Sequence, residues 1–253
     1  GETTGIKLSM FDLSDPDEIR EVNRIVIPGI TWAPAIDDYK SILVDAEKNL
    51  IGFYCDGRYL VYSYDSENGF DRMLVYDFFE ESMVRPAPAE PADRWVISCD
   101  YGTVNPTSMG LWGKWGGVWY RVQEYYYDAR AARRQQTDQE YAQRLRELAG
   151  GREIEAVVVD PSAASFLEVL RREGWHVRKA DNEVLSGIRQ TADALKQGKI
   201  VICPPCTDAI REFASYCWDL SAGDRDRVRK EFDHAMDEIR YFVATVVAPE
   251  EGE

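Results

Sequence analysis

Two patterns of apolar and polar residues follow one another along the chain. In the first eighty residues, short apolar runs are separated by turn residues. The run at 59–64, YLVYSY, alternates between faces, and Asn68-Gly69 precedes the next apolar run. Alternation of this kind, with Asn-Gly between runs, predicts antiparallel strands joined by hairpins.

Downstream of residue 93 the pattern changes to apolar strands followed by amphipathic helices. WVISCDYG predicts a strand, and SMGLWGKW and VWYRVQEYYYD predict a hairpin around Gly116-Gly117. Thr137 with Glu140 three residues later predicts a capping box that begins a helix. Further strands are expected at AVVVD, HVRKA and KIVICPP, and further helices at 163–174, 182–198, 207–220 and 233–247. We expect Asn182 to cap the second of these helices. The order predicts a mixed α/β sheet with helices on its faces.

Three prolines fall within MVRPAPAEPADR, where neither a helix nor a central strand can continue. We therefore predict a small β-rich segment at residues 1–82, a linker at 83–93 and an α/β domain at 94–249.

The chain is acidic, with a formal net charge of −15. Phosphate binding draws on Lys and Arg, so this balance argues against tight, sequence-independent DNA binding by the isolated chain. It leaves open an enzyme that binds metal ions with its carboxylates and contacts DNA through a local basic patch.

We expect the five cysteines to be reduced thiols, Cys203 and Cys206 of the CPPC motif included. The sequence contains neither an apolar run of membrane-spanning length nor a signal-peptide pattern, so we expect no membrane association and no secretion.

Two aspartates stand where strands are predicted to end. Asp100 closes WVISCD and Asp160 closes AVVVD. Because sheets of this kind place their sites at the carboxyl ends of strands, we expect these side chains to lie together. For either residue alone, a turn or capping role is the simpler interpretation.

The last predicted helix contains DHAMDEIRY, residues 233–241. His234 and Asp237 are three residues apart and share a face, so the helix can carry Asp237 to the two strand ends. Asp233 is expected to be the N-cap, and Arg240 to form a structural ion pair. Three converging carboxylates suit Mg²⁺ or Mn²⁺, and two such ions can hydrolyse a phosphodiester.

Three stretches in this order, RWVISCDYGTVNPTSMGLWG, AVVVDPSAASF and DHAMDEIRYFVAT, resemble the nuclease domain of tailed-phage terminase large subunits over about residues 93–247. The resemblance implies an RNase H-like fold and a divalent-metal-dependent endonuclease that cuts concatemeric viral DNA into genome units during packaging. It places the catalytic, metal-binding aspartates at Asp100, Asp160 and Asp237, and the supporting histidine at His234. It further implies double-stranded DNA as substrate, the terminase ATPase domain, small subunit and portal as partners, and the cytoplasm of an infected bacterial host as location.

The chain contains no GxxxxGK[ST] phosphate loop, so we do not expect it to hydrolyse ATP. Residues 7–79, with KLSMFDLSDPDEIREVNRIVIPG and KSILVDAEKNLIGF, resemble blades of bacterial secreted proteins that carry a C-terminal β-propeller.

Two basic stretches are candidates for phosphate contact, or equally for solvated loops. Their residues are Arg130, Arg133, Arg134, Arg225, Arg227, Arg229 and Lys230. Two other functions remain open: another RNase H-like nuclease of the resolvase or RNase H type, and a non-catalytic binding module.

Overall fold

The chain forms two compact units in this computed structural model. The residues that the structure describes are 5–28, 32–46, 49–55, 58–65, 69–72, 74–218, 227–228, 230 and 233–250. The first unit comprises Gly1–Phe79 and Ala214–Arg229, and the second comprises Glu80–Phe213 and Lys230–Glu253. Within the described part of the chain, no helix has the length and apolar character needed to cross a membrane.

The first unit is built from antiparallel strands, as the alternating pattern predicts. Strands β1 (Gly5–Asp12) and β2 (Arg20–Pro28) form a hairpin. A four-stranded meander follows, made of β3 (Ile42–Asp45), β4 (Leu50–Cys55), β5 (Arg58–Asp65) and β6 (Gly69–Arg72). A short helix, α1 (Pro34–Asp37), lies between the two groups in sequence. The inward positions of these strands form one apolar core that includes Ile27, Phe53, Leu60 and Tyr62.

The second unit is a six-stranded mixed sheet. Its strands are β7 (Arg94–Asp100), β8 (Thr107–Trp115), β9 (Val118–Tyr127), β10 (Ala156–Val159), β11 (Val177–Lys179) and β12 (Ile200–Ile202). Their spatial order is β11-β10-β7-β8-β9-β12. The meander β7-β8-β9 is antiparallel, whereas β10, β11 and β12 each pair in parallel with their neighbours. The predicted mixed α/β sheet is confirmed.

Helices cover the sheet. They are α2 (Asp138–Ala149), α3 (Ala164–Arg172), α4 (Val184–Lys196), α5 (Thr207–Phe213), α6 (His234–Phe242) and α7 (Ala248–Glu250), with a π-helical turn at Val243–Val247 joining the last two. The apolar faces of α2 and α3 pack with Ile97 and Cys99 of β7. Ser98 and Asp100 of the same strand alternate with those two residues and therefore face the other side of the sheet, where α6 packs.

Several local signals are confirmed and several are corrected. Thr137 and Glu140 form the predicted capping box. Helix α4 is capped by the side chain of Glu183 rather than by Asn182, because a carboxylate at that position reaches two backbone amides of the first turn. Helix α5 ends at Phe213, short of the predicted 220, because residues 217 and 218 form bridges with Leu74 and Val228 of the first unit.

The predicted linker is not a free segment. Val84 forms a parallel bridge with Ile202 of β12, and the Arg85 amide donates to the Ile202 carbonyl at 3.1 Å. Trp115 Nε1 donates to the carbonyl of Glu90 at 2.7 Å. Residues 83–93 therefore lie along the second unit, where their backbone groups find partners despite the three prolines. The division of the chain also differs from the predicted one, since residues 214–229 belong to the first unit.

Candidate active site

The two aspartates at strand ends lie on neighbouring strands. Asp100 is the last residue of β7, and Asp160 follows β10, which pairs with β7 in parallel with Val159 opposite Cys99. The Asp160 amide donates to the Cys99 carbonyl at 3.4 Å, which continues the ladder to the edge of the sheet. The carboxyl ends of two parallel strands thus present both carboxylates on the same rim, as the sequence predicts.

Helix α6 brings the residues of its first two turns to this rim. His234 Nδ1 donates to Asp100 Oδ2 at 2.9 Å, and Tyr241 Oη donates to Asp160 Oδ2 at 3.3 Å. Asp237, one turn after His234, lines the same cleft as Asp100 and Asp160. The structure therefore brings together all four residues that the sequence singled out as catalytic.

The cleft has a volume of about 1190 Å³ and is open to solvent. Its walls come from the loop after β7, the end of β9 with the following loop, the first turn of α5, and α6. The lining residues beyond the predicted set include Asn105, Asp128, Asp208, Arg211, Asp233 and Tyr241. A cleft of this size, with an acidic floor and arginines at its rim, can admit a polyanionic chain only if cations screen the floor.

Burial and neighbouring charges shift the pKa values of Asp100 and His234 in the cleft. The pKa of Asp100 is raised to about 6, mainly by burial and also by the charges of Asp237 and Asp160, and the hydrogen bond from His234 limits this rise. Burial opposes the charged form of His234, but its hydrogen bond with Asp100 and the Asp100 charge raise the pKa of the imidazole overall. Asp100 and His234 are therefore a coupled pair, held together by a charge-assisted hydrogen bond.

Both oxygens of Asp237 are engaged by basic side chains. Lys230 Nζ donates to Asp237 Oδ2 at 3.0 Å and lies 3.2 Å from Asp233 Oδ2, while Arg240 Nη2 donates to Asp237 Oδ1 at 2.9 Å. The ion pair predicted for Arg240 is thus confirmed, and its partner is a predicted metal ligand. Burial opposes the charge on Lys230, but Asp237 and Asp233 raise the pKa of the ammonium overall.

The donor set fits a hard divalent cation, although its geometry is not yet that of a metal cage. Asp100, Asp160 and Asp237 supply carboxylate oxygens, which Mg²⁺ and Mn²⁺ prefer. Within the described residues, however, no three Asp, Glu, His or Cys side chains lie close enough as they stand to hold an ion. Lys230 and Arg240 occupy the oxygens of Asp237, and Asp160 Oδ1 accepts from the Ser162 amide at 2.9 Å. A cation bound at Asp237 would therefore compete with the Lys230 ammonium for that carboxylate.

The N-cap position predicted for Asp233 is confirmed, but the capping side chain is a different residue. Asp233 occupies the N-cap position of α6, but its side chain makes no capping hydrogen bond. Glu212 of α5 caps instead, because its Oε2 accepts from the Ala235 amide at 2.6 Å and the Met236 amide at 3.4 Å. Tyr126 Oη donates to the other oxygen of Glu212 at 2.7 Å. This buried carboxylate satisfies amides at the positive end of the helix that carries His234 and Asp237.

The sequence did not point to Glu212, Tyr241 or Asp233 as site residues. Glu212 lies 23 residues before the amide it caps, so no local spacing marks it. Tyr241 does carry a local signal, since it stands four residues after Asp237 on one helical face.

The predicted basic residues have different positions. Arg130 lines the cleft, and its Nη2 donates to Asn105 Oδ1 at 2.9 Å. Arg133 and Arg134 border a separate, smaller hollow, and Arg134 is paired with Glu140. Lys230 contacts the aspartates rather than solvent alone. Arg227 is exposed and belongs to the first unit. Arg225 and Arg229 lie outside the described residues.

All five cysteines are free and buried. Cys206 Sγ donates to the Arg121 carbonyl at 3.0 Å, and burial raises the pKa of Cys203 to about 11 and that of Cys206 to about 12. Burial and the raised pKa values leave both thiols of the CPPC motif protonated and therefore poor nucleophiles.

Comparisons with known proteins cover both parts of the chain. The family model described as "Beta propeller domain" matches residues 1–87. The large terminase of a thermophilic bacteriophage, solved in complex with ADP, is 44% identical with a TM-score of 0.67, over 69% of this chain and 45% of that one. The predicted resemblance to terminase large subunits is confirmed. The "Terminase, large subunit" of Escherichia phage T5 is 24% identical over 157 residues, 60% of this chain and 35% of that protein.

Two isolated nuclease domains share the fold. The large terminase nuclease domain of P22 is 17% identical with a TM-score of 0.54, over 67% of this chain and 90% of that one. The large terminase nuclease of thermophilic phage G20c, solved with bound magnesium, is 14% identical with a TM-score of 0.53, over 68% of this chain and 97% of that one. The mixed sheet of this chain thus has the fold of these terminase nuclease domains. The chain spans less than half the length of the ADP-bound large terminase and of the T5 protein.

Proposed function

We propose that the second unit is a divalent-metal-dependent endodeoxyribonuclease of the terminase large subunit type. The observation that carries this proposal is the convergence of Asp100, Asp160 and Asp237 on one cleft, from two parallel strand ends and one helix. The likeness to the ADP-bound large terminase supports the same interpretation.

In this proposal the three aspartates hold two Mg²⁺ or Mn²⁺ ions through their carboxylate oxygens. Ions bound there would activate the attacking water and stabilise the leaving oxygen of the phosphodiester. His234 holds the Asp100 carboxylate in a fixed orientation through its 2.9 Å hydrogen bond, and Tyr241 does the same for Asp160. Oriented ligands of this kind raise metal affinity because less freedom is lost on binding.

Arg130 is the DNA contact that the structure favours, because it stands at the rim of the cleft. Its role would be to position the phosphate backbone without reading sequence. Because the chain is acidic, we expect weak DNA binding that falls steeply with salt.

The biological setting follows from the same likeness and is part of the proposal. The substrate would be double-stranded concatemeric phage DNA in the cytoplasm of an infected bacterium. The partners would be a terminase ATPase domain, the small subunit and the portal.

Cleavage of supercoiled plasmid tests the proposal. The protein is incubated at low salt with EDTA, Mg²⁺ or Mn²⁺, and Asp160→Asn is compared with Asp193→Asn, which alters an exposed aspartate of α4. We expect metal-dependent nicking and linearisation that Asp160→Asn abolishes and Asp193→Asn retains. The proposal fails if neither metal supports cleavage, or if Asp160→Asn cuts as well as the unaltered protein.

A further inference from the structure

Glu238 is buried directly behind the site, although it follows Asp237 in the sequence. It has no exposed surface, and neither has Arg121 of β9. Arg121 donates to Glu238 Oε2 from Nε at 3.0 Å and from Nη2 at 2.6 Å. Trp112 Nε1 of β8 donates to Glu238 Oε1 at 3.2 Å, and Ser98 Oγ of β7 donates to the same oxygen. The Glu238 carboxylate of α6 therefore accepts hydrogen bonds from three adjacent strands, β7, β8 and β9.

The sheet is shaped to receive this carboxylate. Gly110 of β8 lies beneath it, and a Cβ added at that position would come within 2.5 Å of Glu238 Oε1 and 2.6 Å of Arg121 Nε. Only glycine leaves room for both groups. We call Ser98, Gly110, Trp112 and Arg121 the Glu238 socket.

The Glu238 socket and the site are joined by matched spacings. His234 and Glu238 are four residues apart on one face of α6, a rise of about 6 Å. Their partners Asp100 and Ser98 are two residues apart on one face of β7, about 6.7 Å. The contacts His234 to Asp100 and Glu238 to Ser98 therefore form two parallel connections between the same helix and the same strand.

We infer that Glu238 is a positioning residue, which fixes the register of α6 on the sheet so that His234 meets Asp100 and Asp237 faces the cleft. The inference rests on the proposed function, in which Asp100 and Asp237 hold metal. A slide of the helix by one residue would remove the carboxylate from its three donors and separate His234 from Asp100 at the same time. The two contacts thus act as one constraint.

Stability alone does not account for this arrangement. A buried ion pair is weak evidence for stability, because desolvation offsets its attraction and apolar residues of similar volume often serve as well. Helix α6 already packs through Ala235, Met236, Ile239 and Phe242, all fully or almost fully buried. Apolar contacts tolerate small shifts, whereas a carboxylate that receives two hydrogen bonds from Arg121 on one oxygen and two further donors on the other does not.

The test measures Mn²⁺ binding by calorimetry in variants of the Glu238 socket. Glu238→Gln keeps the shape but loses the charge that Arg121 contacts, and Ser98→Ala removes the hydroxyl nearest the site. Thr191→Val is the control for the loss of a buried hydroxyl, because Thr191 of α4 is fully buried and its Oγ1 has no hydrogen-bond partner among the described residues. Leu145→Ala in α2 controls for lost stability on the opposite face of the sheet. All proteins are measured at a temperature where each is fully folded.

We expect Glu238→Gln to weaken Mn²⁺ binding by about 10-fold or more, the effect usual for residues that orient metal ligands. Ser98→Ala should weaken it less, and both controls should match the unaltered protein. In cleavage, kcat should fall while KM for DNA stays the same, since no residue of the Glu238 socket lines the cleft.

Crystal structures of the metal-free Glu238→Gln and unaltered proteins separate this inference from the proposed function. We expect the His234 to Asp100 contact to lengthen in the variant while the sheet stays unchanged. If the contact is retained and Mn²⁺ affinity is unaltered, the positioning role is overturned. If the unaltered protein binds no Mn²⁺, the proposed function is overturned, and the position of α6 in the two structures still decides the role of Glu238.

Discussion

Replacing Asp100 by asparagine should stabilise the metal-free protein at pH 8 while abolishing its function. Burial raises the pKa of Asp100 from 3.8 to about 6, a difference of about two units. Each unit corresponds to about 1.4 kcal/mol, so the ionised carboxylate costs roughly 3 kcal/mol of folding free energy above pH 6. Asparagine carries no charge, and its amide oxygen can still accept from His234. Allowing for imperfect replacement of that bond, we expect a gain of about 1 to 3 kcal/mol.

The pH dependence of this gain distinguishes it from a packing effect. Between about pH 4 and pH 6 the folded protein binds the Asp100 proton and the unfolded chain releases it, so stability falls as pH rises through this window. The raised pKa of His234 adds stability to the unaltered protein as pH falls from 8 towards 6, where the imidazolium forms while Asp100 is still largely ionised. Both effects reduce the advantage of Asp100→Asn as pH falls, and we expect little or none at pH 5.

Urea unfolding in EDTA at pH 5, 6, 7 and 8 measures this directly, with Asp193→Asn as the control. Saturating Mn²⁺ should reverse the order, because ligand binding stabilises only the protein that retains the carboxylate. The reasoning is refuted if Asp100→Asn is less stable at pH 8, or if the difference between the two proteins is the same at every pH.

Three further predictions concern residues around the site. Lys230→Met should tighten Mn²⁺ binding, because the ammonium no longer competes for Asp237; an unchanged or weaker affinity in calorimetry would contradict this. Glu212→Ala should destabilise the protein by about 1 to 3 kcal/mol in urea unfolding, since the buried Ala235 amide loses the acceptor that caps α6, and a change within error would show that the cap is dispensable. The five buried thiols should resist a thiol-reactive dye in the native protein and all react in guanidinium; rapid reaction of Cys203 or Cys206 without denaturant would contradict their burial.

The sequence was informative where the chemistry is local. Asp100 and Asp160 each close a short apolar run, and parallel pairing of the two strands places them together. The capping box at Thr137 and the shared face of His234 and Asp237 likewise follow from spacing alone.

The rest of the site depends on contacts between distant parts of the chain. Glu238 follows the aspartate it supports, yet its partner Arg121 is 117 residues away, and nothing in either segment marks the pair. From the sequence alone, Glu238 in DHAMDEIRY is expected to face solvent, as charged residues of a helix usually do. Its burial becomes evident only from the strands on which α6 packs. The same reason explains why the sequence did not reveal the capping side chain of α6, because capping by Glu212 depends on how α5 and α6 pack. Helix α5 was predicted too long for a similar reason, as residues 217 and 218 pair with strand-like partners rather than continuing the helix.

The most direct measurement is an anomalous difference map from crystals of the protein soaked in Mn²⁺. The account predicts density between Asp100, Asp160 and Asp237, with Lys230 moved away from Asp237 and the 2.9 Å contact between His234 and Asp100 retained. Density elsewhere on the molecule, or none at a concentration that supports plasmid cleavage, would contradict the assignment of these three aspartates as the metal site.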